Sequence, residues 1–162
     1  MREQPTASVC LSCVPSGINA KLTVNRWSYN QGVVLSALVE LHLTTGSQQY
    51  LDDATRIAKA AIHELADPNT GVIQESCDKD NSCDANSTQF KGVFIRNLRT
   101  LHAFAPDSLF AETIRISAES IWRHDRSQDQ NRLGVNWEGP VVQVDASTHS
   151  SAFDALVAAI GA

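Results

Sequence analysis

The sequence contains few positively charged residues and no long apolar run. Its 162 residues include 13 Lys and Arg against 18 Asp and Glu, which gives a net charge of −5. Nucleic-acid binding depends on clustered Lys and Arg that displace counterions from phosphates, so this balance argues against a nucleic-acid partner. The longest largely apolar stretch, residues 33–39, is far shorter than the roughly 20 residues that a membrane-spanning helix needs.

The first residues also lack the features of a leader. Residues 1–14 have no charged start followed by a long apolar core, so we expect no signal peptide in this chain. Residues 1–28 contain Pro5, Pro15 and Gly17 without a steady apolar period, and we interpret them as an irregular lead-in. Residues 29–162 have the length and apolar content of one globular domain.

The four cysteines form two pairs of different spacing. Cys77 and Cys83 flank a loop rich in Asp, Asn and Ser, which predicts a disulfide that staples a surface loop in a secreted protein. Asn86 begins an Asn-Ser-Thr glycosylation sequon beside this loop, which agrees with that compartment. Cys10 and Cys13 could join the other pair in a zinc site, but the second pair is spaced too widely for a zinc knuckle. We therefore predict no metal site and no cofactor.

Two helical patterns alternate along the chain. Residues 30–44 place apolar side chains on every face of a helix, which is typical of an inner helix. Gly46 ends this helix. Residues 48–66 then place one apolar stripe opposite a charged face, which is typical of an outer helix that faces solvent.

This pair of helices repeats about every 60 residues. Gly32 and His42 correspond to Gly92 and His102, each at an offset of 60 (92 − 32). A third unit begins near Thr148, so the chain contains about two and a half helical hairpins. The long polar loops before the inner helices favour a closed ring, in which the inner-helix N-termini surround one pocket. The predicted fold is therefore all-α, part of an (α/α)6 toroid built from hairpins of about 60 residues.

Several motifs in the sequence resemble one family of glycosidases. Residues 27–35 resemble the Tyr-Asn-Gln-Gly signature of glycoside hydrolase family 76. Residues 89–98, 125–126, 137–140 and 147–152 resemble later landmarks of the same family in the same order, particularly in its fungal members. The resemblance implies an (α/α)6 toroid that acts on α-1,6-linked mannan or a mannoprotein glycan through an adjacent Asp-Asp pair. It also implies a secreted or cell-wall-associated protein.

The family's catalytic pair has no expected counterpart in this chain. In the family it lies well upstream of the Tyr-Asn-Gln-Gly motif, in a region that would precede Met1. Asp52 and Asp53 are adjacent, but they fall in the first turn of an outer helix, where carboxylates favour the helix dipole and solvent. A retaining glycosidase needs two carboxyl groups about 5 Å apart across one sugar. We therefore assign no catalytic residue and expect the chain alone to be inactive.

Three candidate glycan contacts fall at the start of the first inner helix. The phenol of Tyr29 and the amides of Asn30 and Gln31 could hydrogen-bond sugar hydroxyls, and the resemblance favours this role. Alternatively, Asn30 caps the helix while Tyr29 and Gln31 satisfy buried backbone groups.

Three further candidate contacts come later in the chain. Lys91 and Arg96 fall near the start of the next inner helix, although Arg96 is as readily explained by solvent or a salt bridge. Trp137 could stack on a sugar ring or pack in the core. His42 and His102 fall at the C-terminal ends of inner helices, where a histidine charge complements the helix dipole, so we assign them a structural role.

Two functions stay open on this basis. The first is the glycan-binding half of a mannan-active glycosidase or cell-wall transglycosylase. The second is a non-catalytic helical repeat module that binds a glycan or a protein partner. In a partial ring the inner helices would be exposed although their pattern suits burial on all sides, so self-association through these helices is also expected.

Overall fold

The computed structural model describes residues 26–162, which form helices joined by loops. In chain order the helices are α1 (Ser28–Thr45), α2 (Gln49–Leu65), α3 (Ser76–Asp80), a 3-10 helix (Ser87–Gln89), α4 (Phe90–Phe104), α5 (Ser108–His124) and α6 (Ala146–Ile160). The prediction of an all-α fold is confirmed. Cys10, Cys13 and most of the lead-in lie outside the described residues. Among the helices described, none has the length and apolar character needed to cross a membrane.

The helices form two layers. α1 packs along α4, and α4 packs along α6, so these three helices form the inner layer. α2 covers α1, while α5 covers α4 and α6 from the outside. The core lies between the layers and includes Leu35, Leu98 and Ile114, which are fully buried. The alternation of inner and outer helices therefore follows the predicted hairpin repeat.

The inner helices approach each other through two glycines. A Cβ atom added to Gly32 in α1 would lie 2.7 Å from the Cα of Phe94 in α4. A Cβ atom added to Gly92 in α4 would lie 2.6 Å from the Cα of Ser151 in α6. Only glycine allows backbones to come this close, so the repeated glycine fixes the spacing of the inner layer.

The next contacts along the same helices give their direction. Ser36 of α1 hydrogen-bonds Asn97 of α4, four residues beyond Gly32 on one helix and three beyond Phe94 on the other. Because the contacts advance together on both helices, α1 and α4 run parallel. The ion pair between Arg96 and Asp154 has the same relation to the glycine contact between α4 and α6. The N-termini of all three inner helices therefore lie at one end of the molecule.

The loops that leave the outer helices repeat as well. An isolated β-bridge joins Ala66 to Ile73 after α2, and another joins Arg126 to Leu133 after α5. Both members of the second bridge are 60 residues beyond those of the first (126 − 66, 133 − 73). The repeat therefore includes loop geometry in addition to the helices.

The repeated histidines form hydrogen bonds to the turns between inner and outer helices. His42 Nδ1 lies 3.0 Å from the carbonyl oxygen of Ser47, in the turn before α2. His102 Nδ1 accepts a hydrogen bond of 3.2 Å from the backbone N–H of Asp107, in the turn before α5. Each contact spans five residues (47 − 42, 107 − 102), and both agree with a structural role.

Replacing either interhelical glycine by alanine should destabilise the fold. Gly32→Ala and Gly92→Ala place a methyl group against the backbone of the neighbouring helix, and overpacking of this kind costs about 1–3 kcal/mol. Chemical denaturation of both variants measures this cost. Gly161→Ala is the control, because its added methyl group meets only the flexible end of Arg99. Equal stability of all three variants would contradict the close packing.

Candidate functional site

A cavity of about 560 Å³ opens at the end of the molecule where the inner helices begin. It lies beside the N-termini of α1 and α4, and we call it the mouth. Its lining combines aromatic, hydroxyl, amide and carboxylate side chains with one half of the Cys77–Cys83 bridge: Trp27, Ser76, Cys77, Asp80, Ser82, Asp84, Asn86, Ser87 and Phe90. A concave surface with a few hydrogen-bonding groups among apolar ones is typical of small-molecule sites.

Two aromatic rings, Trp27 and Phe90, line the mouth, and a third packs against them. The ring centroids of Trp27 and Phe90 are 5.2 Å apart, with the rings edge to face at 70°. Tyr29 packs on the same Phe90, with centroids 4.3 Å apart. All three side chains are partly exposed. The start of α1 and the start of α4 are thus joined by aromatic contacts that keep some ring surface accessible.

Asn30 and Gln31 lie in the first turn of α1, and both are partly exposed. α1 begins at Ser28, and its N-cap residue is Trp27, so the alternative in which Asn30 caps the helix is wrong. The backbone N–H of Ser28 instead donates a hydrogen bond of 2.8 Å to Glu75 Oε1. This distant cap leaves the Asn30 amide available for another contact.

Lys91 is almost completely buried, with 1% of its surface exposed. Its ammonium group donates to Asp78 Oδ2 at 2.6 Å and to the carbonyl oxygen of Val135 at 2.7 Å. It also lies 4.5 Å from the ring centroid of Trp137, within the range of a cation–π contact. Lys91 therefore joins α4 to α3 and to the loop that follows α5.

Trp137 is buried to the same extent, with 1% exposed, and it packs in the core. Its carbonyl oxygen accepts a hydrogen bond of 2.9 Å from Ser120 in α5. A ring buried on both faces has no surface on which a sugar could stack. Lys91 and Trp137 therefore make ion-pair and packing contacts inside the protein in place of the predicted contacts to a sugar.

Arg96 lies on α4 beyond its first turn and is ion-paired with Asp154 of α6 at 2.8 Å. Its side chain is 57% exposed. The salt-bridged alternative therefore describes Arg96 in this structure. A role in glycan binding stays a prediction for this residue.

Two buried carboxyl groups adjoin this network, and sequence reasoning assigned no role to them. Glu75 has 2% of its surface exposed, and burial raises its pKa to about 7, although the hydrogen bond from the backbone N–H of Ser28 lowers it in part. Asp125 is fully buried, and burial raises its pKa to about 8 against the opposing charge of Lys91. Neither carboxylate oxygen of Asp125 has a hydrogen-bond partner among residues 26–162.

A local signal existed for part of this network. Glu75 and Asp78 form a capping box at the start of α3, in which the N–H of Glu75 donates to Asp78 Oδ2 at 2.8 Å. The three-residue spacing is that of a capping box, with Glu at the N-cap and Asp at the third helical position in place of the usual Ser or Thr and Glu or Gln. For Asp125 no local pattern predicts burial, because the loop that encloses it, which contains Gly134 and Val142, comes later in the sequence.

The loop beside the mouth is closed by a disulfide between Cys77 and Cys83, the pair for which the sequence predicts a bridge. Cys77, Asp78 and Cys83 lie close enough together for one metal ion. Both sulfur atoms are consumed by the bridge, however, so they provide no thiolate ligands. Asn86 of the glycosylation sequon is exposed at the mouth, and its glycosylation stays a prediction.

The adjacent pair Asp52 and Asp53 lies far from the mouth in the fold. α2 begins where α1 ends, so the first turn of α2 is at the opposite end of the inner layer. Asp53 is ion-paired with Arg56 on the same helix, and Asp52 is exposed. This placement agrees with the structural role expected for the pair.

Comparison with known proteins shows which family the sequence matches. Residues 14–160 match glycosyl hydrolase family 76. The chain is 25% identical over 121 residues to the mannan endo-1,6-alpha-mannosidase DFG5 of Saccharomyces cerevisiae, a match covering 72% of this chain and 26% of that protein. The chain thus spans about a quarter of the length of this curated relative.

Solved structures give the same result for the fold. The chain is similar to the GH76A alpha-1,6-mannanase of Salegentibacter sp. HEL1_6, with a TM-score of 0.70 and 29% identity over 83% of this chain and 39% of that one. An inactive variant of the same mannanase, in complex with alpha-1,6-mannotetrose, gives a TM-score of 0.70 at 27% identity over 82% of this chain and 39% of that one. The helices described above are therefore part of an α/α toroid.

Removing the buried cation should strongly destabilise the protein. Lys91→Met keeps the side-chain length but leaves Asp78 charged and unpaired, and breaking a buried pair in this way costs about 3–5 kcal/mol. The double variant with Asp78→Asn removes both charges, so its loss should be smaller than the sum of the two single losses. Chemical denaturation of the two single variants and the double variant gives the unfolding free energies of this double-mutant cycle. Additive losses would show that the ion pair does not couple the two residues.

The buried carboxyl groups should make the protein less stable as the pH rises. The folded state holds its protons on Glu75 and Asp125 up to about pH 7 and about pH 8, whereas the unfolded chain releases them near the ordinary values. The unfolding free energy therefore falls as the pH rises from the ordinary carboxyl pKa values to the raised values in the folded state.

Thermal unfolding at about pH 5.5 and about pH 8.5 measures this effect, because the exposed carboxyl groups are ionised throughout that interval. We expect Tm to be lower at the higher pH by at least about 3 °C. Asp125→Asn should reduce the difference, and the exposed Asp129→Asn should not. A Tm that rises with pH in the unsubstituted protein would contradict this assignment.

Proposed function

Because the chain belongs to glycosyl hydrolase family 76, we propose that it binds α-1,6-linked mannan or a mannoprotein glycan at the mouth. The observation that supports this most directly is the partly exposed cluster of Trp27, Tyr29 and Phe90 beside amide, hydroxyl and carboxylate groups. Sugar rings have apolar faces and polar edges, so a site for them needs aromatic surface next to hydrogen-bonding groups. The related mannanase that holds alpha-1,6-mannotetrose supports the choice of glycan.

Different residues of the mouth take different parts in this binding. One face of a mannose residue packs on the ring surface of Trp27. The amide of Asn86 in the lining, and that of Asn30 in the neighbouring first turn of α1, can both donate to and accept from sugar hydroxyls. Lys91 acts indirectly, because its ion pair to Asp78 holds the start of α4 against α3.

The chain alone binds this glycan without cleaving it. Asp52 and Asp53 are at the other end of the inner layer, and Asp125 is enclosed in the interior. Asp84 lines the mouth, but hydrogen bonds from the backbone and hydroxyl of Ser87 lower its pKa, which does not suit the general acid that a glycosidase needs. Hydrolysis or transglycosylation within this family would then require carboxylates from outside residues 26–162.

A secreted or cell-wall setting fits this function. The Cys77–Cys83 disulfide persists in oxidising compartments and is rare in reducing ones. The exposed side chain of Asn86 would be accessible to glycosylation in the same compartment.

Calorimetric titration with α-1,6-mannotetraose tests the proposed site. We expect binding to the unsubstituted chain, and Trp27→Ala should weaken it roughly tenfold because a stacking surface of about 1.4 kcal/mol is lost. Trp122→Ala is the matched control, since Trp122 is an exposed tryptophan on the outer helix α5. Absence of binding, or an equal loss in both variants, would refute binding at the mouth.

Incubation of the chain with the same oligosaccharide tests the absence of cleavage. Product analysis by mass spectrometry should detect only the intact tetrasaccharide. Release of shorter mannosides that survives Trp122→Ala but not Asp80→Asn would place catalytic carboxylates at the mouth and contradict the proposal.

A further inference from the structure

The first inner helix receives no cap from its own N-cap residue. Trp27 occupies the N-cap position of α1, but its side chain makes no capping hydrogen bond, and the first turn contains no acidic residue. In α5 and α6, by contrast, Asp107 and Asp145 at the N-caps accept backbone N–H groups of the same helix. The first N–H groups of a helix have no partner within the helix. The start of α1 therefore depends on a group from elsewhere in the fold.

Glu75 provides this cap from the loop before α3. Its Oε1 atom accepts a hydrogen bond of 2.8 Å from the backbone N–H of Ser28, and both residues are almost completely buried. Ser28 lies between Trp27, which lines the mouth, and Tyr29, whose ring packs on Phe90. The bond therefore fixes the short backbone segment that carries both rings.

Glu75 is held in turn by the ion pair at the start of α4. Its backbone N–H donates to Asp78 Oδ2 at 2.8 Å, and the same oxygen accepts from Lys91 Nζ at 2.6 Å. Lys91 directly follows Phe90, the other aromatic residue in the lining of the mouth. A continuous series of hydrogen bonds thus connects the starts of α4 and α1 through α3. Glu75 is the member of this series that contacts α1.

The second carboxylate oxygen of Glu75, Oε2, is buried and has no hydrogen-bond partner among residues 26–162. Glu75 also lines a cavity of about 570 Å³, which we call the side pocket. The side pocket adjoins the mouth, because Ser76 and Asp80 line both cavities. Its lining includes exposed residues such as Lys79 and Asp80, so it is open to solvent. Glu75 therefore lies between a dry position at the start of α1 and a hydrated space.

The cations near Glu75 are already paired with other acids. Each cation that lines the side pocket or belongs to the hydrogen-bond series has an acidic partner: Arg26 with Glu64, Lys79 with Asp67, and Lys91 with Asp78. Asp80, the remaining acid of the side pocket, is exposed. Glu75 therefore has no cation of its own among the described residues. Burial raises its pKa to about 7, and the charge of Lys91 opposes this only in part.

We propose that Glu75 is a positioning residue for the glycan site, because it holds Trp27 and Tyr29 beside Phe90 through the backbone of Ser28. This inference rests on the glycan binding proposed above and adds a residue that the sugar does not touch. Uncharged Glu75 keeps its place at the start of α1, whereas ionised Glu75 moves towards the side pocket, where water solvates the charge. Loss of the cap lets the first turn of α1 fray, and the ring of Trp27 is then no longer fixed.

Glycan affinity should therefore fall as the pH rises through about 7. The pKa of Glu75 in the capping position lies above its ordinary value, so the cap is stable at lower pH and is lost above that pKa. At about pH 8.5, roughly one molecule in thirty keeps Glu75 uncharged. A site that is present in only a fraction of the molecules loses apparent affinity by the inverse of that fraction, which sets a limit of about thirtyfold.

Calorimetric titration with α-1,6-mannotetraose at about pH 5.5 and about pH 8.5 tests this role. The unsubstituted chain should bind between about threefold and thirtyfold more weakly at the higher pH. Glu75→Gln keeps the acceptor for Ser28 and cannot ionise, so it should bind normally at the lower pH and lose most of the pH dependence. Glu75→Ala should bind roughly fivefold more weakly at the lower pH, because an N-cap changes the equilibrium at a helix start by a factor of about two to thirty.

Glu40→Gln is the matched control. Glu40 is an exposed glutamate in the C-terminal half of α1, away from the mouth. This variant should keep both the affinity and the pH dependence of the unsubstituted chain. Circular dichroism verifies folding, which is expected for Glu75→Gln because its side chain is an uncharged isostere of the protonated acid.

The indole N–H signal of Trp27 gives a second readout that needs no sugar. In the unsubstituted chain this NMR signal should shift with a midpoint near pH 7. In Glu75→Gln it should stay constant over the same range, because the capping group no longer titrates. A merely structural role of Glu75 would not produce this difference between the two proteins.

Two binding results would overturn the role of Glu75. One is an equal pH dependence in the unsubstituted chain and Glu75→Gln, and the other is undiminished affinity in Glu75→Ala. If no sugar binds at either pH, the proposed function fails, and the Trp27 signal decides the role of Glu75 alone. A signal that ignores pH, or that titrates equally in Glu75→Gln, would contradict the positioning, whereas a titration that Glu75→Gln abolishes would support it.

Discussion

The close approach of the inner helices at glycine is the constraint on which the other features of this protein depend. Gly32 and Gly92 let each inner helix contact the backbone of the next, and the three helices run parallel and begin at the same end. The mouth lies at that end because its lining comes from the segments that precede α1 and α4. Among residues 26–162, the same stacking leaves an exposed apolar face at each edge of the layer. The packing of the inner helices thus determines both features.

The loops above the helix starts are held by buried charge rather than by apolar packing alone. Lys91 joins three segments that are distant in sequence, through Asp78, the carbonyl of Val135 and the ring of Trp137. Buried charges are stabilising only when they are paired, so the loops and α4 depend on one another. Glu75 adds a second link because it caps α1 from the loop that contains α3. The shape of the mouth is therefore set by residues that a ligand does not contact.

The sequence predicted the repeating parts of the fold better than the site. Apolar periodicity and the 60-residue offset identified the inner and outer helices, because each repeat has the same packing task. The burial of Lys91 and Trp137 could not be predicted from the sequence, since it depends on the loop after α5 folding back over α4. Tyr29 was recognised from its motif, whereas Phe90, its ring partner, lies in the motif of residues 89–98 but was given no role. Residues whose role arises from contacts between distant loops were the ones that sequence reasoning missed.

The central claim is that a glycan binds where the inner helices begin, and the three tryptophans allow a direct measurement. Each indole N–H gives a separate NMR signal, and Trp27, Trp122 and Trp137 lie at the mouth, on the outer layer and in the core. Titration with α-1,6-mannotetraose should shift the Trp27 indole signal and the amides at the starts of α1 and α4, with little change at Trp122. Shifts concentrated at Trp122 or around Asp52 would contradict the account.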